Sequence, residues 1–173
     1  MSRIILVTGG AKSGKSAWAE ARAEALGASR IYIATAQAFD AEMEARIAEH
    51  LTRRGAGWTT VEQPRELAQA LTETDGDAPR LVDCLTLWLT NEMLAEDGDW
   101  RGALETLVAT LSRQTAPVIL VTNEVGSGIV PDNALARRFQ DAAGVVNLAI
   151  GAIADEVVLV VAGQALTIKG GAA

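Results

Sequence analysis

The stretch ILVTGGAKSGKSAW, residues 5–18, decides the fold. It belongs to an apolar run, Arg3 to Thr8, that predicts a strand, and it leads into an Ala- and Glu-rich segment, Ser16 to Leu26, that predicts a helix. The residues from Gly9 to Ser16 join the two and fit the pattern G-x-x-x-x-G-K-[ST]. At a strand–helix junction this pattern is typical of a phosphate-binding loop, or P-loop. The alternative is a glycine-rich turn that carries a lysine by accident.

Each part of this loop has a predicted role in nucleotide binding. Glycines let backbone N–H groups curve around phosphate oxygens, and the following helix N-terminus favours negative charge. Lys15 is predicted to reach the terminal phosphates as a catalytic residue, and the Ser16 hydroxyl to bind Mg²⁺. The predicted nucleotide-binding residues of the loop are Gly9, Gly10, Ala11, Lys12, Ser13, Gly14, Lys15 and Ser16.

Strand-like and helix-like segments alternate along the rest of the chain, which predicts an α/β fold. Further strands are predicted at Ile31–Thr35, Trp58–Val61, Arg80–Cys84, Val118–Thr122, Val157–Val161 and Gln164–Lys169. Helical patterns cover Asp40–Arg54, Arg65–Leu71, Thr86–Met93, Trp100–Arg113 and Asn133–Ala152. We expect one domain, residues 1–173, with a P-loop NTPase-like (RecA-like) architecture: a mostly parallel sheet flanked by helices.

Composition excludes several classes of protein. The chain has 173 residues, 49% hydrophobic, with a net charge of −7, so it is a poor candidate for binding nucleic acid or an anionic membrane surface. It has one Cys and one His, so neither an internal disulfide nor a Cys/His zinc site can form. No run approaches the roughly 20 apolar residues of a membrane span. We therefore expect a cytoplasmic protein.

Asp83 ends the apolar run Arg80–Cys84 and is the candidate second ligand of Mg²⁺, directly or through water. A P-loop needs such a carboxylate at the end of a neighbouring strand. The alternative is that Asp83 caps the helix that follows it. Cys84, beside it, is predicted to be a small buried residue, because nothing nearby would stabilise a thiolate.

The only histidine, His50, is surrounded by arginines at helical spacing. Arg46, Arg53 and Arg54 lie four before, three after and four after it, so a helix places all three on its face. These cations disfavour protonation of the imidazole, and a neutral imidazole is a nucleophile. The pattern therefore suits a histidine that accepts a phosphoryl or nucleotidyl group. The alternative is a solvated charged face at a helix C-terminus.

Glu62 closes the predicted strand Trp58–Val61. A carboxylate can accept hydrogen bonds from both N1–H and the exocyclic amine of guanine, by the logic of base-edge recognition. The alternative is an ordinary surface glutamate ahead of Pro64.

Six segments of the chain together resemble one known family. They are ILVTGGAKSGKS, YIATAQ (32–37), DAEMEARIAEHLTRRGAGWTTVEQP (40–64), LVDCLTLWLTN (81–91), VTNEVGSGIVPDN (121–133) and ARRFQDAAGVVNLAIGAIADEVVLVVAG (136–163). The order of P-loop, H-x-x-R-R and NEVG-x-GIVP is specific. The chain resembles the bifunctional adenosylcobinamide kinase / adenosylcobinamide-phosphate guanylyltransferase family of cobalamin biosynthesis.

The resemblance implies a two-step activity on a corrinoid. ATP or GTP phosphorylates adenosylcobinamide, and GMP is then transferred from GTP, through a histidine–GMP intermediate, to give adenosyl-GDP-cobinamide and pyrophosphate. The family's guanylylated histidine falls on His50; some members have two adjacent histidines where this chain has Glu49 and His50. The resemblance further implies a homotrimer. Besides the P-loop, the family's GTP-contacting positions fall on Ala34, Thr35, Ala36, Leu51, Thr52, Arg53, Arg54, Glu62 and Asp83.

Two other segments have open interpretations. The loop Asn123–Pro131 follows a strand at the edge where such sheets bind ligands, so Glu124 could orient Mg²⁺ or a hydroxyl; the alternative is an ordinary loop that needs glycine for its turns. Trp88 and Leu89 are either subunit-interface residues or core residues.

Two rival functions remain at this point. A plain small-metabolite kinase would transfer the γ-phosphate without covalent nucleotide on His50. A nucleotide-dependent binding module would bind GTP or GDP tightly with slow hydrolysis, but the chain lacks the N-K-x-D stretch that reads guanine in GTPases.

Overall fold

The computed structural model describes residues 3–37 and 55–170. In chain order they form β1 (Ile4–Thr8), α1 (Lys15–Leu26), β2 (Arg30–Ala34), β3 (Trp58–Glu62), α2 (Leu67–Glu73), β4 (Arg80–Asp83), α3 (Leu85–Leu94), α4 (Trp100–Leu111), β5 (Val118–Val121), α5 (Ala134–Ile153), β6 (Glu156–Val161) and β7 (Gln164–Lys169). The predicted strands and helices in these ranges are confirmed to within two residues at their ends. The helix predicted at Asp40–Arg54 lies outside the described residues.

The strands form one sheet in the order β3-β2-β4-β5-β1-β6-β7. All neighbouring pairs are parallel except β6 and β7, which are antiparallel. The central strands β1 and β5 are apolar at nearly every position because helices cover both faces of the sheet there. The mostly parallel sheet predicted from the sequence is therefore confirmed.

Alternate residues of the strands belong to two separate hydrophobic cores, one on each face of the sheet. On one face, Ile5, Val7 and Ile119 pack with α1, whose Ala19 and Ala23 are fully buried. These small side chains let α1 approach the sheet closely. On the other face, Ile4, Leu6 and Leu120 belong to the core that includes buried residues of α2, α3, α4 and α5. This period-two division is what a strand buried on both sides requires.

Trp88 and Leu89 lie in the second core, and each is 1% exposed. The indole Nε1 of Trp88 donates to the carbonyl of Arg65 at 2.8 Å. The core alternative is therefore correct for both residues, and their assignment to a subunit interface is wrong. A tryptophan this deep needs a partner for its N–H, and the chain supplies one from the segment after β3.

Arg80, at the start of β4, is fully buried and is neutralised by Asp75. Its Nη1 lies 2.9 Å from Asp75 Oδ1, and its Nη2 donates to the carbonyl of Ala116 at 2.7 Å. Burial lowers the pKa of Arg80, while Asp75 opposes that change. Burial also disfavours the charge on Asp75, but the N–H groups of Ala116 and Thr115, together with Arg80, hold the pKa of its carboxyl below the ordinary 3.8.

Asp75→Asn is expected to destabilise the protein by about 3 kcal/mol near neutral pH, because it leaves the Arg80 charge buried without its partner. The folded-state pKa of Asp75 is lowered, so its stabilisation is complete above pH 3.8 and is lost as pH falls through the folded value. Urea unfolding at neutral pH and below pH 3.8 measures both effects. Asp77→Asn, in the same loop and exposed, is the control. An equal loss at both pH values would contradict the ion-pair explanation.

Among the helices of residues 3–37 and 55–170, none combines the length and the apolar character that crossing a membrane requires.

Candidate functional site

The P-loop leaves the carboxyl end of β1 and leads into the N-terminus of α1. Gly14 has a φ of +96°, a conformation that side-chain-bearing residues rarely adopt. A Cβ on Gly9 would lie 2.5 Å from the carbonyl oxygen of Val160 and 2.6 Å from Ser13 Oγ. Backbone conformation therefore requires glycine at position 14, and close packing requires it at position 9.

Lys15 is the first residue of α1 and is 9% exposed. Its Nζ donates to the carbonyl of Gly10 at 3.1 Å, so the ammonium lies back over the loop. Ser13 Oγ is buried and has no hydrogen-bond partner among the described residues. A buried hydroxyl without a partner costs free energy, and an anion held in this loop would supply an acceptor. This arrangement fits a bound phosphate.

The turn between β6 and β7 packs on the P-loop, a contact that the sequence reasoning missed. Ala162 and Gly163 both have positive φ, of 51° and 76°, as in the two-residue turn of a hairpin. The N–H of Gly163 donates to the carbonyl of Ser13 at 2.8 Å. A Cβ on Gly14 would lie 3.2 Å from Gly163 Cα. The Ala-Gly pair between two apolar runs was the available signal, but it gives no indication of what the hairpin touches.

Asp83 lies at the carboxyl end of β4, at the same edge of the sheet as the P-loop. β5 lies between β4 and β1, so two strand spacings, about 10 Å, separate the two ends. The hydroxyl of Tyr32 donates to Asp83 Oδ2 at 3.1 Å. α3 has Cys84 as its N-cap and no side-chain capping bond, so the capping alternative for Asp83 is wrong.

The oxygens of Ser16 and Asp83 suit Mg²⁺. This ion prefers oxygen ligands, keeps several waters, and is commonly bound through one or two carboxylates plus substrate phosphates. Among residues 3–37 and 55–170 no group of three or more His, Cys, Asp or Glu side chains gathers to hold a metal. Such a group is unnecessary when a nucleotide supplies the remaining oxygens, so the donor set fits the ion.

Thr35 fixes the end of β2 to the end of β4. Its buried Oγ1 donates to the carbonyl of Cys84 and accepts from the N–H of Cys84, both at 2.8 Å. The N–H of Thr35 also donates to the carbonyl of Asp83 at 3.3 Å. Of the predicted nucleotide-contacting segment, Thr35 is thus fully buried, whereas Ala34 and Ala36 are half-buried.

Cys84 is buried, as the sequence predicts. Burial, with the nearby charge of Asp83, raises the pKa of its thiol to about 11. The thiolate is therefore scarce near neutral pH, and Cys84 is unsuited to nucleophilic chemistry.

Glu62 is exposed at the carboxyl end of β3, in register with Ala34 of β2. Its side chain therefore lies at the edge that also carries the P-loop and Asp83. The predicted residues His50, Leu51, Thr52, Arg53 and Arg54, with Arg46, lie outside the described residues. Their contacts with the edge stay predictions.

The loop after β5 contacts the P-loop through its backbone. The N–H of Glu124 donates to the carbonyl of Gly9 at 3.0 Å, and the Glu124 carboxylate accepts from the N–H of Gly126 at 2.8 Å. Neither Gly126 nor Gly128 has positive φ. Left-handed turns therefore do not explain these two glycines, and Glu124 stands beside the phosphate loop at the sheet edge.

Comparisons with known proteins agree on one family. A family model described as cobinamide kinase / cobinamide phosphate guanyltransferase matches residues 5–168. The bifunctional adenosylcobalamin biosynthesis protein CobP of Pseudomonas aeruginosa is 47% identical over 167 residues, 95% of this chain and 96% of that protein. The bifunctional adenosylcobalamin biosynthesis protein CobU of Salmonella typhimurium is 45% identical over 183 aligned positions, 96% of this chain and 99% of that protein.

Solved structures with similar architecture are distant in sequence. The flagellar accessory protein FlaH from Methanocaldococcus jannaschii matches with a TM-score of 0.54 and 12% identity, covering 98% of this chain and 79% of that one. An ATPase from a bacterial type III secretion system matches with a TM-score of 0.58 and 12% identity, covering 91% of this chain and 50% of that one. These matches support the P-loop NTPase-like fold and carry no information on the substrate.

Proposed function

Because the chain belongs to the cobinamide kinase / cobinamide phosphate guanyltransferase family, we propose that it catalyses both reactions on one corrinoid substrate. ATP or GTP phosphorylates the aminopropanol hydroxyl of adenosylcobinamide. GMP from GTP is then joined to that phosphate, which gives adenosyl-GDP-cobinamide and pyrophosphate. The observation that carries the proposal is the shared sheet edge at which the P-loop, Asp83 and Glu62 all lie.

In the kinase half, the P-loop holds the triphosphate while the substrate hydroxyl attacks the γ-phosphorus. Backbone N–H groups of residues 9–16 bind phosphate oxygens, and Lys15 stabilises the charge that develops on the transferred group. Ser16 and Asp83, together with the phosphates, would hold Mg²⁺, which would neutralise the negative charge of the triphosphate. The backbone N–H of Glu124 donates to the Gly9 carbonyl, which supports a role for Glu124 in orienting the attacking hydroxyl. The bond from γ-phosphorus to the bridging oxygen breaks, and the nucleoside diphosphate leaves.

In the transferase half, neutral His50 attacks the α-phosphorus of GTP. A nitrogen–phosphorus bond forms, the bond to the β-phosphate oxygen breaks, and pyrophosphate leaves. The phosphate of adenosylcobinamide phosphate then attacks the same phosphorus and releases the histidine. Arg46, Arg53 and Arg54 would keep the imidazole unprotonated and bind the phosphates, as their helical spacing predicts.

The proposal includes a trimeric assembly, which the resemblance implies. Several large apolar side chains are exposed on the single chain, which supports burial by another copy. Ile129 is 96% exposed, Leu148 77% and Val130 71%. Sedimentation equilibrium of the purified protein measures the mass of the assembly.

Turnover tests the proposal directly. The protein is incubated with adenosylcobinamide, Mg²⁺ and GTP, and the corrinoid products are separated by mass. Adenosyl-GDP-cobinamide and pyrophosphate are expected. The phosphorylated corrinoid alone, with no further product, would support the plain kinase instead. Tight GTP binding with neither product would support the binding module.

Glu62→Gln is expected to lower kcat/KM for GTP in guanylyl transfer by about 10- to 100-fold, because the carboxylate loses one of two charge-assisted hydrogen bonds to guanine. Activity with ITP, whose base lacks the 2-amino group, should fall less, so the preference for GTP over ITP narrows. Steady-state kinetics with both nucleotides measures the change. Glu105→Gln, an exposed glutamate on α4, is the control. An unaltered GTP/ITP ratio would remove Glu62 from base recognition.

A further inference from the structure

One side chain bridges the chain segments that follow β2 and β3. The last rung between these strands is the bond from Gln63 N to the Ala34 carbonyl, at 2.8 Å. One residue further along each segment, the side chain of Asn91 in α3 joins the two backbones. Its Nδ2 donates to the carbonyl of Thr35 and to the carbonyl of Pro64, both at 2.9 Å. The carboxamide has two N–H donors, so both are used in this bridge.

Two neighbouring side chains of α3 hold the same segment. Trp88 Nε1 donates to the Arg65 carbonyl at 2.8 Å, and Glu92, which is 5% exposed, lies 3.3 Å from Arg65 Nε. Residues 88, 91 and 92 are three and four apart, so they share one face of the helix. This face therefore fixes the backbone of residues 64–65, which begin two residues after Glu62.

The other side of the bridge is fixed as well. Thr35 is bonded through its side chain to both backbone groups of Cys84, the residue after Asp83. A continuous series of hydrogen bonds thus runs from Cys84 through Thr35 and Asn91 to Pro64. One end is next to Asp83, the candidate metal carboxylate, and the other end is two residues from Glu62, the candidate guanine-binding carboxylate.

We propose that Asn91 is a positioning residue for the guanine subsite. It sets the spacing between the segment Ala34–Ala36 and Glu62, and so holds the Glu62 carboxylate opposite the N1–H and 2-amino donors of a purine ring. It acts through Glu62 and not on the reacting atoms. The proposal rests on the proposed function, because it assumes that Glu62 reads the base.

The test compares Asn91→Leu, which keeps the volume but has no donors, with Asn91→Gln, which keeps the donors but displaces them by one methylene. Both are expected to reduce the ratio of kcat/KM for GTP over ITP by about tenfold. The kinase rate with ATP should fall less than guanylyl transfer with GTP, because adenine lacks the N1–H and 2-amino donors that Glu62 would read. The ratio of Kd values for GDP and IDP, measured by calorimetry, should narrow in parallel.

Thr90→Val, which removes a hydroxyl bonded within the same helix, is the matched control and should keep the wild-type ratio. If Asn91 were only structural, the activities with GTP, ITP and ATP would all fall in proportion to the folded fraction. The ratio of kcat/KM for GTP over ITP would then be unchanged in both variants. That result would overturn the proposal. Asn91→Gln covers the case in which Asn91→Leu does not fold.

Glu62→Gln separates the two possible failures. If this variant keeps the GTP/ITP ratio, then base reading by Glu62 is wrong. If it narrows the ratio and the Asn91 variants do not, only the role of Asn91 is wrong. If the roles of Glu62 and Asn91 are both correct, adding Asn91→Leu to Glu62→Gln lowers the GTP/ITP ratio of kcat/KM no further. The reason is that Asn91 acts through Glu62.

Discussion

Replacing Lys15 with alanine is expected to lower kcat/KM of the kinase step by about 10³-fold, which corresponds to about 4 kcal/mol of transition-state stabilisation. The reason is that the Lys15 ammonium lies within the P-loop, where the phosphates would bind. Lys15 is nearly buried at the start of α1, with Nζ 3.1 Å from the Gly10 carbonyl. An ammonium has three donors, so others are free for the phosphate oxygens on which charge develops.

The measurement is phosphate transfer from γ-labelled ATP to adenosylcobinamide. Lys12→Ala is the matched control, because Lys12 belongs to the same loop but is exposed. It should alter the rate only a few-fold. A circular dichroism melt of each variant separates loss of fold from loss of chemistry. A Lys15→Ala protein that is folded and as active as Lys12→Ala would contradict the assigned role.

Replacing His50 with alanine is expected to abolish covalent labelling by GTP and to reduce guanylyl transfer by at least about 10³-fold, because the substituted chain has no imidazole. The kinase step should continue, since the P-loop is unaltered. The protein is incubated with Mg²⁺ and GTP labelled at the α-phosphate, and bound label is tested for the acid lability and alkali stability of a phosphoramidate.

Three outcomes of this labelling experiment have different meanings. Label on the wild type alone would assign the nucleophile to His50. Equal label on both proteins would place the covalent bond on another side chain. No label on a wild type that still binds GTP would return the interpretation to a plain kinase. Glu49→Ala, at the adjacent position, is the control for local disturbance.

Local patterns predicted the strands and the P-loop because their causes are local. A buried parallel strand such as β5 needs apolar residues at every position, and the P-loop glycines are required by conformation and close packing within a short segment. Asp83 could be found in the same way, because it ends an apolar run. The structure also decided alternatives that the sequence left open: Trp88 and Leu89 are core residues, and Asp83 does not cap α3.

Contacts between distant segments could not be predicted. The bridge from Asn91 to Thr35 and Pro64 joins three separate segments, and no periodicity in residues 85–94 marks that asparagine. The contact of the β6–β7 turn with the P-loop likewise joins segments that are far apart in the sequence. Each depends on how the strands are ordered in the sheet, which the sequence pattern alone does not give. The role of His50 stays a prediction.

The contact between Gly163 and Ser13 bears on how the protein is synthesised. Gly163, whose N–H donates to the Ser13 carbonyl, is translated 150 residues after Ser13. A nascent chain therefore lacks this contact to the P-loop until the β6–β7 hairpin has emerged, and domains fold as units during synthesis. We therefore expect the P-loop to reach its final conformation only after the β6–β7 hairpin is synthesised, and not during its own translation.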